Sequence, residues 1–153
     1  MRYDYIEPFV TSTIRVLGGV LQSNITKGEV SLTESGWPAG DLAIEVPLFG
    51  DSEGNVVLNM NTATAVKLSA RLNGNAGTSL SPIGMDALSE LINMIAGNAV
   101  SVLNDEGFDF TMSPPSILVR KNSGEKTSLL EVFRIPFLTD CGDVTIQVTL
   151  RTH

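Results

Sequence analysis

Three polar residues and a glycine recur along one stretch of the chain: Asp86, Glu90, Asn93 and Gly97. They stand at i, i+4, i+7 and i+11. At about 100° per residue, a helix sets all four in one stripe roughly 60° wide. Such a row shows two carboxylates and one carboxamide to solvent. Gly97 continues it with no side chain, leaving room for another surface to approach. Carboxylates attract cations, and a carboxamide offers both a hydrogen-bond donor and an acceptor. The scarcest residue types narrow the chemistry further. One cysteine, Cys141, rules out an internal disulfide framework and a cysteine-based zinc cluster. One histidine, His153, counts against a His-centred triad or a His-rich metal site.

A solvated helix face is the plainer reading of such a row, because every surface helix has polar residues opposite an apolar stripe. Two features argue against it. The row has no Lys or Arg, so no i,i+4 ion pairs support the helix. It also ends in a mid-helix glycine, which costs about 1 kcal/mol relative to alanine.

The elements that must position this row follow from composition and periodicity. The 153 residues are 42% hydrophobic and 18% charged, which describes a folded chain of about one domain. With 17 acids against 10 bases the formal charge is -7, the wrong sign for a general nucleic-acid or anionic-membrane binder. No apolar run approaches the roughly 20 residues of a membrane span. Acids interrupt the first residues, so they do not read as a signal peptide. A cytoplasmic protein is expected, and the Asn24-Ile25-Thr26 sequon is then chance.

Residues 4–20 read as a helix, with Phe9, Thr13, Val16, Leu17 and Val20 at helical spacing and Pro8 tolerable only in a first turn. Residues 28–34 alternate as a strand, and 35–40 form a turn cluster around Trp37. A hairpin follows, with Leu42, Ile44, Val46 and Leu48 on one arm and Val56, Leu58 and Met60 on the other. Residues 62–72 look helical and end at Asn73-Gly74; 75–81 is a Gly/Ser loop. Ser81 caps a helix with Pro82 in its first position, running to about Leu103. Its buried side holds Leu88, Leu91, Ile92, Ile95, Ala99 and Val102. Short strands are expected near 108–112 and 116–120. A last hairpin has arms 128–138 and 143–151, the second alternating as a strand with one wet face.

The two hairpins resemble each other. Residues 46–52 match 135–141, and each continues into Gly-Asn-Val or Gly-Asp-Val, with Glu53 extra in the first copy. The long helices align at a constant offset of 79, Glu7 on Asp86 and Gly18 on Gly97. The chain therefore reads as a single domain with pseudo-repeats over about 1–60 and 82–151, joined by a helix at about 62–72. The expected fold class is α/β in the loose, α+β sense: a mostly antiparallel sheet with long helices packed on it and an internal pseudo-two-fold duplication.

The string Asp86-x3-Glu90-x2-Asn93, followed by Pro114-Pro115, resembles the signature of the CheC/CheX/FliY family of chemotaxis phosphatases. Residues 90–99, and the length and layout of nearly the whole chain, are similar as well. Two departures stand out. Twenty-one residues separate Asn93 from Pro115, one short of the family pattern. Thr11 and Ile14 occupy the positions aligned with Glu90 and Asn93, so only the second half should be active. One site per chain is the pattern of CheX, whose members this chain resembles best and which form homodimers.

The resemblance implies a CheC/CheX-like fold and a hydrolase acting on the aspartyl phosphate of a CheY-type response regulator in two-component signalling. Glu90 would pair with the regulator's lysine, and Asn93 would hold a water in line with the phosphorus. Asp86, Gly97 and Pro115 would face the partner; Asp86 could instead simply favour the helix N-terminus. No cofactor is expected on this chain, and Mg2+ would be held by the regulator's own acids. The competing reading is a non-catalytic adaptor or flagellar-switch-like module that docks a regulator without hydrolysis. A third is a dimeric structural protein that pairs through exposed edge strands at the chain's end.

Other candidates read as structural. Residues 73–77 lack the Lys-Ser/Thr of a phosphate loop. Asp51, Glu53, Asp140 and Asp143 sit in matching turns without a calcium-loop series. Asn98 points away from the row as a structural residue or loop partner. Trp37 and Phe49 are core or partner contacts that the sequence does not separate.

Overall fold

The structure is a computed structural model that describes residues 2–33, 38, 40–74, 79–118 and 130–151. Trp37, His153, residues 75–78 of the Gly/Ser loop, and the expected strand ends 119–120 and 128–129 lie outside them. The chain runs α1 (Arg2–Leu21), β1 (Thr26–Lys27), β2 (Ser31–Thr33), β3 (Leu42–Gly50), β4 (Gly54–Met60), α2 (Thr62–Asn73), α3 (Pro82–Asp105), β5 (Phe110–Met112), β6 (Ser116–Ile117), β7 (Leu130–Thr139) and β8 (Gly142–Arg151).

The strands form one antiparallel sheet in the order β1-β7-β8-β4-β3-β5, with β2 also on β7 and β6 also on β3. One register row carries Ile44, Leu58, Ile146 and Ile135 across four strands, and all four are fully buried. This apolar face packs against the buried stripes of the helices, Phe9 and Leu17 of α1, Leu68 of α2, and Leu88, Ile92 and Ile95 of α3. Period 2 in the strands and period 3.6 in the helices thus meet in one core. Helices α1 and α3 run antiparallel. The Ser12 hydroxyl donates to the Ile95 carbonyl at 2.8 Å, while Tyr5 packs on Phe108, just past the end of α3, with ring centroids 4.8 Å apart.

Each long helix precedes one hairpin, and the hairpins meet at β4 and β8. The register there is two-fold about the Leu58↔Ile146 pair, with Val56↔Val148 beside it. The outer arms are shifted. Leu58 pairs with Ile44 on β3, and Ile146 pairs with Ile135 on β7. The sequence match instead put Val46 on Ile135, two residues away. A two-residue slip keeps every side chain on its face, so the apolar pattern does not reveal it.

Four expectations need correction. Helix α1 starts at Arg2, so Pro8 lies inside the helix beyond its first turn and withholds a donor from the Asp4 carbonyl. The outer face of β8 is not wet, since Gln147 is only 4% exposed. Its Oε1 accepts from Arg134 Nε at 3.0 Å, and nearby Asn59 grips Gly40 and Leu42 through both amide ends, so polar side chains are buried there with partners. The last strand is no edge: β8 lies between β7 and β4. Finally, Val102 is 44% exposed, whereas Ala96, Val100 and Leu103 join the core. No helix among the described residues is long and apolar enough to cross a membrane.

Candidate functional site

Helix α3 is fixed at both ends and along its back. Ser81 caps it as the spacing predicts, its Oγ accepting the Gly84 N–H at 3.0 Å, with Pro82 in the first turn. At Gly84 helix α2 approaches closely; a Cβ there would stand 3.1 Å from Ser69 Cβ. At the far end Gly107, with φ of +103°, ends the helix in a Schellman turn: its N–H reaches Asn104 O, and Phe108 N–H reaches Leu103 O, both at 3.1 Å. The buried stripe Leu88, Leu91, Ile92, Ile95 and Ala99 then sets the helix rotation.

That rotation turns the row outward. Asp86 and Glu90 are exposed, and Asn93 and Gly97 are half-buried. The three polar side chains make no hydrogen bond or ion pair with a described residue, so the fold leaves their hydrogen-bonding capacity unused. Gly97 is partly covered by the chain itself. A Cβ there would meet only Met112 Cε, at 3.6 Å, an ordinary contact. Packing inside the chain therefore does not demand glycine at this position.

Pro115 arrives from the other side. The chain turns at Gly107 and returns beside β3, with Phe110↔Gly50 and Met112↔Leu48 in register. Ser113 N–H donates to Pro47 O at 3.0 Å, and Ser116 pairs with Glu45. Asn104 of α3 is tied to Phe110, and Met112 lies against Gly97, seven residues or about 10 Å back along the helix. The segment thus runs antiparallel to α3, and its next residues, Pro114 and half-buried Pro115, head toward the level of Asn93.

The remaining candidates serve the fold. Asp51 Oδ2 accepts the Asp109 N–H at 2.9 Å, and Asp140 pairs with Arg71 at 3.3 Å. Arg71 also donates to Leu21 O at 2.6 Å, covering a carbonyl at the C-terminus of α1. Phe49 proves exposed on β3. Among the described residues no group of three or more His, Cys, Asp or Glu is placed to hold a metal ion. Cys141 is buried, and desolvation, reinforced by Asp140, pushes its thiol pKa up.

Sequence reasoning missed one feature. A groove of about 560 Å3 runs between α1 and α3, with Glu7, Thr11, Arg15, Asn98 and Val102 among its walls. It excludes Asp86, Glu90 and Asn93. Asn98 is therefore no loop partner; it is exposed in this groove and bonds to no described residue. The available signal was Pro8, a proline inside a helix and a wall of the same groove.

Comparison with known proteins follows the geometry. A family model, chemotaxis phosphatase CheX, matches residues 42–138, which include all of α3 and Pro115. A chain in the crystal structure of the CheX-CheY-BeF3-Mg2+ complex from Borrelia burgdorferi is similar at 28% identity and TM-score 0.80, covering 97% of this chain and 98% of that one. The chemotaxis protein CheX from Desulfovibrio desulfuricans is similar at 24% identity and TM-score 0.80, over 97% and 99%. A CheC-like superfamily protein from Shewanella sp. PV-4 is similar at 23% identity and TM-score 0.84, over 99% and 100%.

Proposed function

The chain belongs to the chemotaxis phosphatase CheX family, and from that premise we propose that it hydrolyses the aspartyl phosphate of a CheY-type response regulator. The observation that carries this reading is the outward row on α3, where Glu90 and Asn93 stand one helical turn apart with no partner among the described residues. The B. burgdorferi complex, which holds CheX with CheY, BeF3 and Mg2+, supports the same class of partner here.

In this reading Glu90 pairs with the lysine of the regulator's phosphorylation site and fixes the docked pose. Asn93 enters that site, and its carboxamide holds a water in line with the phosphorus. The water oxygen forms the new P–O bond as the bond to the aspartyl oxygen breaks, giving inorganic phosphate and the free carboxylate. The regulator's own acids hold Mg2+, which neutralises charge on the phosphoryl oxygens. An acyl phosphate already has a good leaving group, so positioning and charge neutralisation are the main requirements. A chain that lends one carboxylate and one amide meets them without supplying a base, nucleophile or metal. Asp86, Gly97 and Pro115 form the rim of the contact, and the chain is a homodimer, which light scattering reads directly.

The test is phosphate release from a phosphorylated CheY-type regulator with Mg2+. Asn93→Ala should lose most of the acceleration while still binding, and Glu90→Ala should weaken binding. If Asn93→Ala hydrolyses as fast as the unaltered chain, the mechanism fails. Tight binding with no acceleration by the unaltered chain would make it an adaptor instead.

A further inference from the structure

We infer that Asn104 is a positioning residue for this site: its amide sets how segment 108–115 lies against α3, and so where Pro115 stands relative to Asn93. The inference rests on reading the α3 row and Pro115 as the docking face.

Asn104 lies 18 residues after Asp86, about five whole turns, and so on the same line of the helix. It is exposed, yet its amide is used at both ends. Oδ1 accepts the Phe110 N–H at 2.9 Å, and Nδ2 donates to the Phe110 carbonyl at 3.0 Å. The geometry of β5 explains why this matters. Alternate residues of a strand turn their backbone groups to opposite sides, and Asp109 turns its pair toward Asp51 beside β3. Phe110 therefore turns its own pair away from the sheet. Asn104 satisfies both groups, as a further strand would.

No other side-chain hydrogen bond joins α3 to β5 among the described residues. Apart from the Phe108 N–H on Leu103 O, where the segment leaves the helix, the other polar ties of its described residues run to the β3 side: Asp109 to Asp51, Ser113 to Pro47 and, just beyond it, Leu118 to Ala43. Gly50 allows the close approach on that side, since a Cβ there would clash with the Asp109 carbonyl. Pro114 and Pro115 have no N–H to donate, so their place is set by what pins the residues around them. The sheet fixes the segment along β3, and Asn104 fixes it against the helix that carries Glu90 and Asn93. Beyond Phe108, without Asn104 only van der Waals contact, Met112 near Gly97 included, keeps segment and helix in step among the described residues.

The experiment compares Asn104→Ala, Asn104→Asp, Pro115→Ala and the Asn104→Ala/Pro115→Ala pair. Binding is measured to a CheY-type regulator activated with beryllofluoride and Mg2+, and turnover on the phosphorylated regulator. Asn104→Ala should raise Kd and KM about tenfold. The turnover number should change less than about twofold, because Asn93 is untouched. Asn104→Asp keeps one acceptor and should fall between. The pair should be no worse than its worse single variant, since both act through Pro115; fully additive effects overturn the inference. Amide exchange reads the same point without activity. Ser113 N–H should exchange faster in Asn104→Ala while the β4–β8 amides stay as they are, and unchanged protection at Ser113 overturns the inference. If the unaltered chain neither binds nor dephosphorylates the regulator, the functional reading fails, and the exchange result alone decides whether Asn104 positions the segment.

Discussion

Replacing Gly97 by alanine should stabilise the fold and weaken docking at the same time. Two effects set the stability change. Glycine inside a helix is less favourable than alanine by about 1 kcal/mol, mostly through backbone entropy. The new methyl would sit 3.6 Å from Met112 Cε, ordinary contact with nothing to displace. Gly97 is also absent from the glycines with positive φ, so alanine brings no backbone strain. Together these give a gain of about 1 kcal/mol, or a rise in Tm of roughly 2–4 °C for a chain of this size. Docking should move the other way. A methyl placed where a partner backbone approaches forces the surfaces apart, and a loss of about 1.4 kcal/mol is tenfold in affinity. Thermal melting reads the first quantity, and KM for the phosphorylated regulator reads the second. A fall in Tm would mean that the helix packs differently at Gly97. A rise in Tm with unchanged KM would remove Gly97 from the contact surface.

Three further outcomes are expected. Ser81→Ala removes the cap on Gly84 N–H and should cost about 1 kcal/mol, read as a lower urea midpoint at unchanged slope. Burial raises the Cys141 pKa, so the folded state holds its proton more tightly than the unfolded one. Stability is then intact below the ordinary thiol pKa and declines as pH climbs through the folded value; Cys141→Ala should flatten that alkaline decline in denaturant titrations. Thr11→Glu with Ile14→Asn copies the α3 pair onto α1, and in an Asn93→Ala background it should restore no phosphate release; recovery of turnover would show that the two side chains suffice.

Most elements were legible because their signals are local. Ser81-Pro82 announces the start of α3, and alternation marks both hairpins. The row was legible for the same reason, since helical spacing alone sets Asp86, Glu90, Asn93 and Gly97 on one side. What failed depended on distant partners. Gln147 looks like part of a wet face until its bond from Arg134 is seen. Val102 fits the apolar stripe by angle, but α1 opposes it with the groove containing Pro8 rather than with a packed side chain. The two-residue slip of the outer strands leaves every face unchanged, so no pattern could show it. Asn104 reads as an ordinary helix-end residue until β5 turns back on it.

The two halves explain why copying two side chains should not copy the site. Each long helix carries a glycine at the matching place, and each lies near an apolar residue from the segment that follows. A Cβ on Gly97 would stand 3.6 Å from Met112, and one on Gly18 would stand 3.6 Å from Ser23 O and 3.9 Å from Ile25. Each segment continues onto the outer edge of a hairpin, β5 and β6 on β3, β1 and β2 on β7. This packing is common to both halves and therefore does not depend on Glu90 or Asn93. The differences lie in what is added. The stretch between β5 and β6 is Ser113-Pro114-Pro115, and an asparagine amide holds the strand before it, at Phe110, to the helix; the stretch between β1 and β2 is Gly28-Glu29-Val30, whose Gly28 N–H bonds to Pro136 O on the sheet side. Leu21 ends α1 under an arginine from α2, and no described side chain ties α1 to β1 by a hydrogen bond. A phosphatase that works by positioning needs the acid and amide held on a rigid helix and a fixed surface beside them. On the proposed mechanism the second half would supply both, whereas Ile14 stands 38% exposed on a helix whose neighbouring segment has neither the prolines nor the amide.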